Sequence, residues 1–243
     1  MGTKSPVLRG QDVDAKCSGC QVGHFCLAAG SDSETLEQLD ELLVVDECIE
    51  SGAHVARRGD AFRGVLAVRR GCFKSYRIDR EGREQVRRFH FPGELIGLDA
   101  VSRGIYQDST VALQDSATCA IDYQQLLNLS QCAKGLQQQL FRLFSGQLAE
   151  AQLHAGEFTA EERIAAFVCN ISERLAARGH DAEQFELAMS RNDIGNHLGL
   201  ATETVSRVFS RLRSAGVLNV RRKHITILDR LALFQLAEAV TDH

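Results

Sequence analysis

No apolar run in this 243-residue chain approaches the ~18 residues that a membrane-spanning helix requires. The opening residues, Met1-Gly-Thr-Lys-Ser-Pro-Val-Leu-Arg, lack the apolar core of a secretory signal. A cytoplasmic location is therefore expected. Excess positive charge is missing as well: 28 Lys and Arg stand against 32 Asp and Glu, for a net charge of −4. The total gives no sign of a nucleic-acid partner, so only local charge can. Nor is there an evident catalytic arrangement. Histidines such as His54, His90 and His197 stand without an evident partner, and no phosphate-cradling Gly loop occurs. The chain is not expected to be an enzyme.

Eight cysteines are present. In a reducing compartment they are core residues, metal ligands or redox groups rather than disulfides. Three of them crowd into Cys17-Ser-Gly-Cys20-Gln-Val-Gly-His-Phe-Cys26. Gly19 and Gly23 let the backbone wrap closely there, because glycine has no Cβ. Three thiols on a polar loop make most of a metal or cluster site that needs a fourth ligand from elsewhere. Cys48, Cys72, Cys132 and Cys169 lie singly in strand or helix patterns and are expected to be small core residues.

The pattern along the chain predicts an α+β protein. Leu36, Leu39, Leu42 and Leu43 have helical spacing, with Ser31 and Ser33 as candidate N-caps. Strand-like runs follow at 53–57, 65–69, 73–78, 85–91, 109–113 and 118–121, separated by Gly-bearing turns. No crossover helices intervene, so the expectation is an antiparallel β-roll or jelly roll over 47–131 rather than a parallel sheet. A long helix comes next. Phe141, Phe144, Leu148, Ala151 and Ala155 step by three and four, as in a coiled-coil seam, while Leu136, Leu140 and Leu143 form a second apolar face. One face is expected to pack on the roll and the other on a second copy, with Gly156 ending the helix. Thr159-Ala-Glu-Glu162 is a capping box that opens a C-terminal helical domain near 158.

That domain carries the most specific signal. Ser190-Arg-Asn-Asp193 caps a short helix, Gly199 sits at the turn to a second, and Gly195 is small where the two cross. Ile194, Leu198, Leu200, Val205 and Val208 are apolar where a helix-turn-helix buries side chains. Glu203, Ser206 and Arg207 then project together, and these side chains can bond cytosine and guanine edges. Thr202, Arg191 and Arg211 complete the candidate DNA contacts. Between 190 and 224, seven Lys or Arg face two acids, a local balance of +5 that suits phosphate contacts. Residues 219–228 read as a hairpin, the wing of a winged helix. Ala201, at the start of the second helix, cannot cap it.

The order of these parts resembles the CRP/FNR superfamily of bacterial transcription regulators, and within it the oxygen-responsive FNR/ANR-type branch. The likeness is tightest in Gly71-Cys-Phe-Lys-Ser-Tyr, Glu94-Leu-Ile-Gly-Leu-Asp-Ala, Ala160-Glu-Glu-Arg-Ile-Ala-Ala-Phe and the helix-turn-helix. It divides the chain into a cysteine-rich sensor segment and helix at 1–46, a β-roll at 47–131, a dimerisation helix at 132–157 and a winged-helix DNA-binding domain at 158–243. It implies a [4Fe–4S] cluster on Cys17, Cys20, Cys26 and Cys119. It further implies a homodimer that works with RNA polymerase at a palindrome of TTGAT and ATCAA half-sites separated by four base pairs, under low oxygen. In the superfamily's other branch, an Arg that grips a cyclic phosphate follows the Gly-Glu-Leu segment. Here Gly93-Glu94-Leu95 is present, but Tyr106-Gln-Asp-Ser-Thr-Val holds no such Arg, so cyclic nucleotide is not expected. Two departures stand out. The chain is about three residues shorter than FNR between Arg142 and Arg163, nearly one helical turn. The 79–88 hairpin, whose counterpart contacts RNA polymerase, carries four arginines, Arg80, Arg83, Arg87 and Arg88. The alternative is a zinc-stabilised or clusterless constitutive regulator of the same family, since four thiolates also suit Zn²⁺.

Overall fold

The computed structural model describes residues 16–152 and 158–241. Helix α1 (Ser33–Leu42) starts at Asp32, whose side chain accepts from the Thr35 N–H at 2.9 Å. The cap is therefore Asp32, not Ser31 or Ser33, because the carboxylate reaches the first-turn donor and also favours the positive end of the helix. The helix stops one residue earlier than its leucine spacing predicts, and Leu43 begins a strand, β1 (Leu43–Ile49). Burial on a sheet overrides helical periodicity at that junction.

The roll continues with β2 (His54–Ala56), β3 (Gly64–Arg70), β4 (Phe73–Ile78), β5 (Glu84–His90), β6 (Leu95–Ile96), β7 (Ser109–Ala112) and β8 (Ser116–Asp122). All pairs are antiparallel, in two four-stranded sheets ordered β1-β8-β3-β6 and β2-β7-β4-β5. This is the expected jelly roll, with β1 and the two-residue β6 added. In the first sheet, β8 lies between β1 and β3, with Cys119 opposite Val45 and Ala67. Strand parity divides its residues between two cores. Leu66, Val68 and Ile96 face Phe73 and Ala112 of the second sheet. Val65, Ala67, Cys119 and Ile121 face a layer of Cys26, Leu27, Ala28, Leu39, Leu126 and Leu136 from outside the roll. A sheet covered on both faces needs apolar residues at successive positions, as Val65-Leu-Ala-Val68 supplies.

Two helices close this unit, α2 (Tyr123–Cys132) and α3 (Lys134–Gln152). The first was not foreseen; Asp122 starts it by accepting from the N–H groups of Gln124 and Gln125. Of the four cysteines expected in cores, Cys72 and Cys169 are buried but Cys48 and Cys132 are exposed. Cys48 points outward from β1, and Cys132 is the last residue of α2, so neither has a core to enter.

Contacts divide the chain into two units, Met1–Gln147 and Leu148–His243. The second contains α4 (Ala160–Ala176), β9 (Gln184–Glu186), α5 (Arg191–Leu198), α6 (Thr202–Ser214), β10 (Leu218–Arg221), β11 (His224–Ile227) and α7 (Arg230–Thr241). The Thr159/Glu162 capping box is formed in both directions. The hairpin β10–β11 gains β9 as a third antiparallel strand. Gly156 lies outside the described residues, as do 1–15.

Candidate functional site

The cysteine segment opens with a single 3-10 turn at Cys17–Gly19. Its backbone then curls on itself: Gly23 N–H donates to the Cys20 carbonyl at 3.0 Å, and Cys26 N–H to Val22 at 3.0 Å. Cys26 and Cys119 are buried and Cys17 and Cys20 half-buried. Cys17 interacts electrostatically with Cys26 and Cys119, and both Cys26 and Cys119 with Cys20. Cys17 packs against the core layer that contains Cys26 and Cys119. Among the described residues, however, no three His, Cys, Asp or Glu side chains are arranged as ligands of a single metal ion.

The surroundings of each sulfur differ. Burial pushes the Cys17 thiol well up, and the neighbouring Cys26 and Asp40 push the same way. The Asp40 carboxylate also accepts from the Cys17 N–H at 2.5 Å, fixing the start of the segment to α1. Burial raises Cys26 too, but the N–H groups of Ala28 and Leu27 donate to its sulfur and oppose the rise. Cys119 is pushed up to about 12 by burial, against the charge and hydrogen bond of Arg69. Arg69 is itself held by Glu47 at 3.2 Å. N–H donors and a guanidinium on buried sulfurs are the outer partners that thiolates need when they ligate a metal or cluster. The donor set therefore fits such a group, with the Asp40 carboxylate opposing it at Cys17.

On α3 the two predicted faces separate. Leu136 is fully buried, and Leu140 and Leu143 pack against the layer that contains Cys26 and Cys119. Phe141, Phe144 and Leu148 are exposed, Phe141 by 68% and Leu148 by 65%, which is far more than a folded chain normally leaves to water on one helix face. Ala155 and the side chain of Ala151 lie outside the described residues.

The helix-turn-helix has the expected register. Ser190 and Asp193 cap α5 reciprocally, Gly199 takes the left-handed conformation (φ 67°, ψ 34°) that ends it, and a Cβ on Gly195 would stand 2.5 Å from the Leu200 carbonyl oxygen. Ile194, Leu198, Val205, Val208 and Leu212 are buried; Glu203, Ser206 and Arg207 are exposed together. Ala201 makes no cap hydrogen bond. The remaining candidates are partly engaged. Thr202 donates to Asn192 at 3.3 Å, and Arg211 pairs with Glu161 at 3.0 Å. Arg191 lies 3.9 Å from the Phe209 ring centre and donates to the Arg222 carbonyl at the wing tip, where Arg222 has φ 58°. Arg163, on α4, donates to the Leu198 carbonyl at 3.0 Å and so braces the turn.

Residues 162–236 match the family model of a Crp-like helix-turn-helix domain and 47–131 that of a cyclic nucleotide-binding domain. The chain is 41% identical over 226 residues to the transcriptional activator protein anr of Pseudomonas aeruginosa, covering 92% of this chain and 93% of that protein. It is 39% identical over 224 residues to the fumarate and nitrate reduction regulatory protein of Escherichia coli, covering 91% and 90%. The chain belongs to the CRP/FNR family of transcription regulators. Among solved structures, FixK2 from Bradyrhizobium japonicum superposes with a TM-score of 0.72 at 28% identity, over 80% of this chain and 96% of that one.

CRP/FNR membership accounts for α5 and α6 as a DNA-binding pair and makes a dimer the expected assembly. These relatives are named as transcription regulators, and the three histidines have structural partners. His54 bonds the Tyr76 hydroxyl at 2.8 Å, His90 bonds Ser75 at 2.7 Å, and His197 packs on the Phe167 ring. The sequence left them isolated; each has a structural partner. In this CRP/FNR chain Glu94 is buried inside the roll and accepts from the Phe91 N–H. On the basic hairpin, Arg83 is engaged by Asp79 and Glu81, while Arg80 and Arg87 are exposed. Asp40, Arg69, Arg163 and Gln139 were missed by sequence reasoning, because the group each one touches lies far away in the chain. No described helix is long and apolar enough to cross a membrane.

Proposed function

We propose that this chain is a cytoplasmic, oxygen- or redox-sensing transcription regulator whose homodimer binds a TTGAT-N4-ATCAA palindrome and acts with RNA polymerase under low oxygen, without a cyclic nucleotide. Its parts are the sensor segment 1–46, the roll 47–131, the dimerisation helix 132–157 and the winged helix 158–243. Cys17, Cys20, Cys26 and Cys119 hold a [4Fe–4S] cluster. The observation that supports the reading is geometric: Cys17 packs against the buried layer that holds Cys26 and Cys119, and the Cys20 N–H donates to the Cys17 carbonyl at 3.2 Å. When bound, such a cluster supplies an oxygen-labile body with one iron per thiolate.

The residues then have distinct tasks. Cys17, Cys20 and Cys26 fasten the sensor segment to Cys119 on the roll. The same layer packs Leu136, Leu140 and Leu143, so the fastening sets how α3 lies. Phe141, Phe144, Leu148, Ala151 and Ala155 pair with the second copy. Paired copies present two α6 helices to successive major grooves. Glu203, Ser206 and Arg207 read base edges, and Thr202, Arg191 and Arg211 hold the backbone. Anaerobic protein should be brown, with about four iron and four sulfide per chain, and should lose colour and operator retention together in air. Colourless protein containing zinc, with a gel shift indifferent to air, overturns the proposal.

A further inference from the structure

The stretch after Cys26 runs along the first turns of α3. A Cβ on Gly135 would stand 2.5 Å from the Gly30 carbonyl oxygen, so the helix backbone touches the segment there. One turn later, Gln139 Nε2 donates to the Cys26 carbonyl at 3.0 Å, across 113 residues of chain. Gln139 is only 7% exposed. The Cys26 carbonyl also accepts from the Ala29 N–H at 3.1 Å, so separating the pair costs chiefly the buried Gln139 amide, which cannot exchange this bond freely for water. Residues 135 and 139 share a face at i, i+4, whereas Phe141 and Leu148 point elsewhere on the same helix.

We infer that Gln139 is a positioning residue that couples the cysteine segment to the pairing helix: its hydrogen bond makes the placement of Cys26 and the placement of the Phe141/Leu148 stripe one variable. The inference rests on the proposed function and adds the contact through which the sensor acts. Leu136, Leu140 and Leu143 alone would not do this, because apolar contacts tolerate sliding and rotation while a buried amide–carbonyl pair fixes register. An α3 that loses the Cys26 carbonyl keeps its core contacts but loses the link between segment and stripe.

The test uses full-length wild type, Gln139→Met and Gln139→Glu, purified anaerobically. Gln139→Met keeps the shape without the donor; Gln139→Glu sets an acceptor against the carbonyl. Visible absorption, iron and sulfide are recorded, and the dimer dissociation constant is measured by sedimentation before and after exposure to air. Gln139→Met is expected to keep the wild-type spectrum while the air-induced change in the dimer constant shrinks about five- to tenfold. A merely structural role would lower thermal stability and weaken both dimer constants equally, leaving their ratio at the wild-type value; that result overturns the inference. Should a variant load less iron, the ratio is taken per loaded chain, and an unchanged ratio overturns it equally. Wild-type dimerisation that ignores iron instead overturns the proposed function. In that event there is no air-dependent change for Gln139 to transmit, and the inference falls with it at the wild-type control, before any variant is compared.

Discussion

Ala201 begins α6 with no side chain to accept from the first-turn N–H groups, while Ser190 and Thr159 cap their helices fully. Ala201→Ser should therefore stabilise the second unit by about 1 kcal/mol, read as a rise in its thermal midpoint. Gly195 gives the opposite case. Replacing a helix-interior glycine by alanine usually gains about 1 kcal/mol. Here the new Cβ would meet a backbone oxygen at 2.5 Å, and that atom cannot swing aside. Overpacking of this kind costs about 1–3 kcal/mol and outweighs the propensity gain. Gly195→Ala should lower stability and weaken operator retention in a gel shift; an unchanged midpoint would contradict the crossing geometry. Both positions were legible in the sequence, because a cap and a turn involve residues within five positions of each other. Asp40, Arg69 and Gln139 were not, since no local pattern records a partner 23 or 113 residues away.

Among elements, α3 divides its residues most sharply. Leu136 is buried completely while Phe141 and Leu148, one heptad apart, are largely exposed. Leu148→Glu should leave the folded chain intact, since exposed substitutions stay within about 0.5 kcal/mol. It should abolish the dimer in sedimentation and, with it, operator retention; a stable Leu148→Glu dimer would show that this stripe does not pair. The stripe itself was readable from spacing. The strand β1 was not, because Leu42-Leu43 continues the apolar rhythm of α1 without a Gly or Pro to mark the change. α2 and α7 were also missed, and Cys48 and Cys132 were misplaced in cores, because element boundaries decide which side of a strand or helix end a residue faces.

For the whole molecule, every candidate ligand lies in the first unit and every candidate base contact in the second. Stripping iron should therefore lower the first unit's calorimetric transition and leave the second's in place. Operator affinity should still fall about a hundredfold or more, because a monomer loses the gain of binding two half-sites at once. A shift of both transitions by the same amount would contradict this division. The sequence by itself determined the cysteine loop, the order of roll, long helix and winged helix, and the helix-turn-helix register, since each is written in local spacing and turn chemistry. Only the tertiary structure decided that Cys119 faces Cys26 rather than the inside of the roll, and that Gln139 reaches the Cys26 carbonyl. The first depends on the parity of β8 against β1 and β3, and the second on how a segment packs along a helix; long-range packing sets both, and neither leaves a periodicity in the chain.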